Sequence, residues 1–331
     1  MTTLAGRRVL VTGADGFIGS HLAERLVAEG AEVRAFCVYN SRGSLGWLDE
    51  ADPAVRSALD VRLGDIRDAR FVEAATEGID TVFHLAALIA IPYSYVAPAS
   101  FVDTNVTGTL HVLEAARRVG VRRVIQTSTS EVYGTPAVLP ITEDHPLQAQ
   151  SPYAATKVAA DQLSLAFART FDLPVVVLRP FNTYGPRQSA RAVLPTMLRQ
   201  LLAGRTEVRL GRLDPWRDLT YVADTVAGFV AAALADGIEG QTIQLGTGRS
   251  ESIGELFAIA CRILGVEART IEDQERVRPD ASEVLVLQSD PSLARTLLGW
   301  TATTSIEDGL AHTIAWLRDH PDDIGVDRVQ L

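Results

Sequence analysis

Tyr153 and Lys157 stand four residues apart in "SPYAATKVAADQ". On a helix that spacing puts both side chains on one face. An ammonium beside a phenol favours phenolate, so Tyr153 is expected to have its pKa pulled down toward operating pH. Such a phenolate takes the proton of a hydroxyl while the carbon gives up hydride. A second acid–base candidate lies upstream. In "VRRVIQTSTSEVYG" an apolar run ends in Thr129, Ser130 and Glu131. A carboxylate at the end of a buried strand is either a hydrated loop charge or a base set beside a ligand.

A third constellation points to a phosphate-bearing ligand. "VLVTGADGFIGSHL" places Gly13, Gly16 and Gly19 between an apolar strand and an amphipathic helix. The spacing is G-x-x-G-x-x-G, not the G-x-G-x-x-G of the standard dinucleotide fingerprint, but the physics is shared. Glycine allows a tight turn and close backbone approach, and the helix start offers unpaired N–H groups to a pyrophosphate. After the third strand, "GDIRD" supplies Asp65 and Ile66 where an adenine edge can be read; a plain turn is the other reading of Asp65. The carboxylate that usually ends the second strand and accepts ribose hydroxyls is missing. That end reads "FCVYNSRGS", with Cys37 near the expected place. Asn40 or Ser41 can substitute as ribose partners. Arg42 suits a 2′-phosphate or is a solvated loop arginine. NAD is therefore expected, with NADP open.

The elements that must position these groups follow from hydrophobic runs. "RRVLVTG", "EVRAFCV", "DVRLGD", "TVFHLAA", "RRVIQTS" and "PVVVLRP" read as strands; helical patterns such as "FIGSHLAERLVAEG", "NVTGTLHVLEAARRVG" and "YAATKVAADQLSLAFARTF" lie between them. Continuous apolar strands alternating with helices predict an α/β fold with a doubly wound, Rossmann-like parallel sheet covered on both faces. The expected division is a dinucleotide-binding domain over residues 1–179 and a smaller α/β substrate domain over 180–331. The segment 218–246 is able to return to the first. Beyond Pro180 the second half offers loop arginines, Arg187, Arg191, Arg217 and Arg278, suited to bidentate grip on phosphate. A surface salt bridge is the alternative for each, with Asp218 the ready partner for Arg217. Trp216 reads as a core residue, with packing on the substrate as the other reading.

Composition narrows the partners. The 331-residue chain carries a formal net charge of −10, which argues against nucleic acid or an anionic membrane as main partner. Cys37 and Cys261 give neither a disulfide framework nor a thiolate metal pattern, consistent with a reducing cytoplasm. The histidines carry no metal spacing, so no metal is expected. No apolar stretch approaches the roughly 20 residues of a spanning helix.

Taken in order, "TGADGFIG", "HLAA" (84–87), "NVTGT" (105–109), "TSTSEVYG", "YAATK", "RPFNTYGPRQ" (179–188) and "RDLTYVAD" (217–224) span nearly the whole chain. In these segments the sequence resembles extended short-chain dehydrogenase/reductases, specifically the sugar-nucleotide epimerases and dehydratases. The resemblance implies a tightly held nicotinamide cofactor, bound through Gly13, Gly16, Phe17, Ile18, Gly19, Leu85, Ala86, Ala87, Asn105, Tyr153 and Lys157. It implies a nucleoside-diphosphate sugar in the cleft, with Asn182 at the sugar-phosphate and Arg217 and Arg278 on the diphosphate. It also implies that Thr129 bonds the C4 hydroxyl and that Glu131 takes the C5 proton, as in 4,6-dehydratases; 4-epimerases usually lack that carboxylate. Many dehydratases carry Asp where this chain has Ser130. The "TSE" triplet is similar to GDP-mannose 4,6-dehydratases, which manage without it, so the C6 acid is left between Glu131 and another group.

Two longer segments, 84–109 and 179–196, resemble dehydratases of legionaminic-acid-type pathways acting on UDP- or GDP-N-acetylglucosamine. Family members also pair amphipathic helices such as 104–118 and 153–170 across a two-fold axis, implying a homodimer through a four-helix bundle. The alternatives are a C4 epimerase, a 5,6-dehydratase, and a non-catalytic cofactor sensor.

Overall fold

The computed structural model describes residues 3–277, 279 and 282–321. Its strands are β1 (Arg8–Thr12), β2 (Glu32–Val38), β3 (Asp60–Gly64), β4 (Thr81–His84), β5 (Arg123–Thr127), β6 (Val175–Pro180), β7 (Asn182–Tyr184), β8 (Glu207–Leu210), β9 (Trp216–Arg217), β10 (Leu219–Tyr221), β11 (Thr242–Leu245), β12 (Glu251–Ser252), β13 (Arg269–Glu272) and β14 (Val286–Leu287). The helices are α1 (Phe17–Ala28), α2 (Pro53–Ala58), α3 (Ala69–Thr76), α4 (Ile91–Val96), α5 (Pro98–Phe101), α6 (Gly108–Val119), α7 (Pro152–Phe171), α8 (Val193–Leu202), α9 (Val222–Leu234), α10 (Ile253–Leu264), α11 (Ser292–Leu298) and α12 (Ile306–Asp319).

Seven strands form one sheet in the order β11-β6-β5-β4-β1-β2-β3. All its pairings are parallel. Alternate residues supply two cores, as the period of a strand requires. Val9, Val11, Ile125, Val176 and Leu178 face one side, with Leu22 and Leu26 of α1 and Phe229 of α9. Leu10, Val82, Val124 and Val175 face the other, with Val72 of α3 and Val112 and Leu113 of α6. Strand order reverses at β1 and β4, so the ends of those strands open the crevice in which such sheets bind ligands. The return of the chain to this sheet is β11, paired with β6.

A third core joins α8, α10 and α12 around Met197, Leu198, Leu256, Leu310 and Ile314. A fourth, smaller cluster of Val132, Tyr133, Ile141, Phe181, Val284 and Leu287 underlies the end of β5. Each helix near the crevice has a local cause. α7 starts where Ser151 accepts the Ala154 N–H and Pro152 takes the first position. α6 ends at Gly120 in the left-handed region, φ 74°. The helix read from Asn105 onward is regular only from Gly108; Val102–Thr107 is a π-helical turn, which turns the buried Asn105 inward. No helix among the described residues is long and apolar enough to cross a membrane.

Candidate active site

The glycine turn closes tightly against its neighbours. Gly13 has φ +70°, and a Cβ there would lie 2.9 Å from the Ala86 backbone. A Cβ on Gly19 would lie 2.0 Å from the Gly13 carbonyl oxygen. α1 begins at Gly16 with no side-chain cap and no acid in its first turn, so its first N–H groups suit an anion. These features fit a dinucleotide pyrophosphate. Gly13→Ala is therefore expected to weaken NAD binding by tenfold or more without unfolding the chain, measured by titrating nucleotide-stripped protein.

The segment after β4 is pinned to this turn by a chain of hydrogen bonds. The Thr12 hydroxyl accepts the Leu85 and Ala86 N–H groups, each at 3.1 Å, and lies 2.8 Å from His84 Nδ1. His84 Nε2 lies 3.1 Å from Thr109 Oγ1, which donates to the Asn105 carbonyl at 2.6 Å. Only one tautomer satisfies all of these: Nε2–H donates to Thr109, and Nδ1 accepts from Thr12. Burial first, then the Lys157 charge, pushes His84 down to about 3, so it stays neutral and structural. Phe17 and Ile18 form the first turn of α1, and Ala87 continues the pinned segment; all three are half-buried.

Several expected cofactor contacts are committed elsewhere. The Asn40 amide donates to Val38 and Ser44 carbonyls and accepts the Arg42 and Ser44 N–H groups, so it stitches its own loop and is no free ribose partner. Ser41 and Arg42 stand exposed on that loop. Asp65 is gripped by the Arg67 side chain and N–H, which hold its carboxyl below the usual range. Ile66 is buried, 3.0 Å from where a Cβ on Gly108 would lie. Asn105 uses its whole amide on Leu88 and Thr156, so it positions the segment after β4 against α7. One group was missed by the sequence reading. Asp15, inside the glycine turn, interacts with the Val38 amide at the end of β2 and is raised mainly by burial. Together with Asp49 it pushes the buried Cys37 thiol up to about 12, after burial itself. Negative charge therefore does reach the end of β2, from a neighbouring turn.

The acid–base groups converge at the ends of β5 and α7. Thr129 caps the short turn Ser130–Tyr133 by accepting the Glu131 N–H at 3.2 Å. Ser130 is buried; Glu131 is half-buried, and its charge acts on Tyr153. Gly134 closes the turn at φ +61°, where a Cβ would meet the Gln148 carbonyl oxygen at 2.0 Å. Tyr153 packs edge-on against Phe101. The expected lowering of its pKa is corrected by the structure. Burial, then the charges of Glu131 and Asp161, raise the phenol well above its ordinary value, against a hydrogen bond with Thr129. The Lys157 ammonium, in the free protein, donates to the Thr127 carbonyl at 2.5 Å. Burial pulls Lys157 down to about 8, while Asp161 opposes that. Lys157 is also the only lysine in the chain, against 30 arginines, a signal that was legible in the sequence.

The second half departs from expectation at the arginines. Arg187, at φ 70°, reaches back to α1, where it donates to Ser20 at 3.2 Å and pairs with Glu24 at 2.7 Å. It fastens its loop to the glycine-turn helix instead of pointing to a diphosphate. Arg217 pairs with Glu283 at 2.8 Å, both largely buried, and not with Asp218. Asp218 instead accepts from Thr247, Gly248 and Ser289, joining three loops. Arg191 is exposed and bonds Ser189. Arg278 lies outside the described residues. Asn182 Nδ2 is buried with no hydrogen-bond partner in the protein. Trp216, read as core, is 39% exposed on the two-residue β9. No cluster of His, Cys, Asp or Glu among the described residues is arranged to hold a metal.

Fold and site together define a class, the Rossmann-like short-chain dehydrogenase/reductases with a Tyr–Lys pair. Comparison with known proteins places the chain more narrowly. A family model described as GDP-mannose 4,6 dehydratase matches residues 10–313. The chain is 35% identical to a UDP-glucose 4-epimerase of Mycolicibacterium smegmatis, over 94% of this chain and 99% of that one. It is also 35% identical to a dTDP-glucose 4,6-dehydratase of Actinoplanes sp., over 94% and 98%. Among solved structures, a dTDP-glucose 4,6-dehydratase of Streptomyces venezuelae with NAD bound superposes with a TM-score of 0.83 at 32% identity, covering 95% of this chain and 97% of that chain. The protein belongs to this family of NAD-dependent nucleotide-sugar dehydratases and epimerases.

Proposed function

We propose that the protein is a nucleoside-diphosphate-sugar 4,6-dehydratase that uses NAD and acts on UDP- or GDP-N-acetylglucosamine. The observation that carries the reaction type is Glu131, half-buried and close enough to Tyr153 for its charge to raise the phenol. The N-acetylglucosamine assignment is supported by the segments 84–109 and 179–196. NAD is supported by the cofactor in the Streptomyces relative and by Asp15 and Asp49, whose charges at the end of β2 oppose a 2′-phosphate.

In this reading NAD, held at Gly13, Gly16 and Gly19, would supply the acceptor for the C4 hydride and its donor to C6. Tyr153 takes the C4 hydroxyl proton, with Thr129 bonded to the same oxygen and Lys157 supplying nearby positive charge. The C4 ketone acidifies the C5–H bond. Glu131 removes that proton; the C5–C6 double bond forms as hydroxide leaves C6. The leaving oxygen takes a proton from Glu131, with Ser130 in the place of the missing aspartic acid. With hydride delivered to C6, C5 is reprotonated at the expense of the proton that Tyr153 took from the C4 hydroxyl; this gives the 4-keto-6-deoxy sugar, and the net change is loss of one water. Asn182, Arg191, Arg217 and Arg278 are assigned to the sugar diphosphate; Arg187 acts through its loop. Residues 1–179 with the 218–246 return form the cofactor domain, and the rest of 180–331 forms the substrate domain. A second copy is expected on the face of α6 and α7, near the exposed Tyr93, Val96 and Val102.

C4 epimerisation is the second reading, favoured by the identity to the Mycolicibacterium epimerase. The test is mass spectrometry of UDP- and GDP-N-acetylglucosamine incubated with the purified protein and no reductant. Loss of 18 mass units, about one water, supports dehydration; proton NMR of the product then separates a 4-keto-6-deoxy sugar from an exocyclic alkene. An unchanged mass with inverted C4 establishes the epimerase. No change in any sugar nucleotide leaves a cofactor sensor.

A further inference from the structure

α7 carries Tyr153, Lys157 and Asp161 at four-residue steps, hence on one face. The first two belong to the hydride site as read above. Asp161 has no part in the steps written there, yet it is fully buried. Its Oδ2 accepts the Ser128 hydroxyl at 2.8 Å and Arg179 Nε at 3.1 Å, and Arg179 Nη2 lies 3.0 Å away. Arg179 Nη1 donates to the Tyr133 hydroxyl at 3.0 Å, and the guanidinium lies over the Tyr133 ring, 5.0 Å from its centroid. Tyr133 donates onward to Gln244 at 3.2 Å. One carboxylate thus ties α7 to the residue before Thr129, to β6, to the turn that carries Glu131, and through Gln244 to β11. A buried ion pair of this kind adds little to stability against an apolar replacement, so its cost calls for another role.

We propose that Asp161 is a positioning residue for the hydride site, holding the end of β5 and the Glu131 turn against α7 and standing one turn from Lys157 on the same helix face as its buried counter-charge. The groups facing this pair support that reading. Around Lys157 stand Asp161 on its own helix, the neutral His84 of β4, whose charging Lys157 opposes, and the Thr127 carbonyl of β5. Around Asp161 stand Arg179 of β6, Ser128, Lys157, and the phenols of Tyr153 and Tyr133, with Tyr133 pushed up to about 12 chiefly by burial. Glu131 faces Tyr153, and Glu143 faces Tyr133 and Arg179. Asp161 and the Thr127 carbonyl favour the charged form of Lys157 against burial, and Asp161, itself raised by burial, is held toward carboxylate by Arg179, Ser128 and Lys157. The inference rests on the reading of Tyr153 and Lys157 as the hydride pair.

The single lysine makes this directly measurable. Full-length protein grown with lysine carbon-13 labelled at Cε gives one lysine resonance, and its shift against pH reports the charge on Lys157 without any substrate. The parent midpoint is expected near 8. Asp161→Asn alone leaves two buried cations facing each other, so the primary variant is Asp161→Asn with Arg179→Gln, which removes both members of the pair. Its lysine midpoint is expected to fall by about one pH unit or more, within the range a close opposite charge commands. A folded double variant with the parental midpoint overturns the proposal. Should the double variant fail to fold, Arg179→Gln decides: with Asp161 left to Lys157 alone the midpoint rises, and an unmoved midpoint overturns the proposal. Failure of the hydride-pair reading is separately visible, as NAD reduction by UDP-N-acetylglucosamine at the parental rate in Lys157→Met.

Discussion

Glu131→Gln is expected to abolish release of water from the sugar nucleotide while the bound NAD is still reduced. The amide keeps the size and position of the carboxylate but accepts no proton at neutral pH. Proton transfer by a placed side chain contributes about 10²–10⁴-fold to a rate, and that is the expected loss in dehydration. The fold should be indifferent: the turn is fixed by the Thr129 cap on the backbone and by Val132 and Tyr133 in the cluster beneath it. Reduction of NAD survives because it needs Tyr153 and not Glu131. It should even become easier at a given pH, since the Glu131 charge is one of the causes that raise the phenol. Absorbance at about 340 nm (the reduced-nicotinamide band) and product mass read the two halves separately. Dehydration by this variant at the parental rate removes Glu131 from the mechanism.

Tyr153→Phe is expected to stop the reaction one step earlier, with neither reduced nicotinamide nor water released. Phenylalanine preserves the edge-on contact with Phe101 and the buried ring, so the change is confined to the hydroxyl. Loss of one hydrogen bond to Thr129 costs about 1 kcal/mol. The catalytic loss is again about 10²–10⁴-fold, now in NAD reduction itself. In the free protein the phenol is raised by burial, Glu131 and Asp161 and stays protonated at neutral pH. Positive charge brought close to it is therefore what converts it to a base, and the reduction rate of the parent should climb with pH. Reduction of NAD by Tyr153→Phe at the parental rate contradicts the assignment.

The sheet was legible because its central strands, β1, β4, β5 and β6, are near-continuous apolar runs, the pattern of a parallel sheet covered by helices on both faces. The glycine turn was legible because its causes are local: three glycines, a strand before, a helix after. Lys157 was placed on the correct face, but its partner was not. Which way an ammonium turns depends on the Thr127 carbonyl and on Asp161, and spacing alone does not rank them. The ion pairs of the arginines were not legible for a related reason. Arg187 finds Glu24, and Arg217 finds Glu283, across large separations in the chain, and charge matching at that range has no sequence signature. Asn40 was the avoidable miss. An Asn in a polar loop commonly bonds its own backbone two residues on, as it does here.

The central claim is that hydride leaves C4 and reappears at C6 of the same sugar. It is tested most directly by giving the enzyme UDP-N-acetylglucosamine, and in parallel GDP-N-acetylglucosamine, deuterated at C4 and analysing the product by NMR. The expected result is deuterium in the C6 methyl group of a 4-keto-6-deoxy sugar. Deuterium retained at C4 of an inverted sugar contradicts it and leaves the fold serving an epimerase.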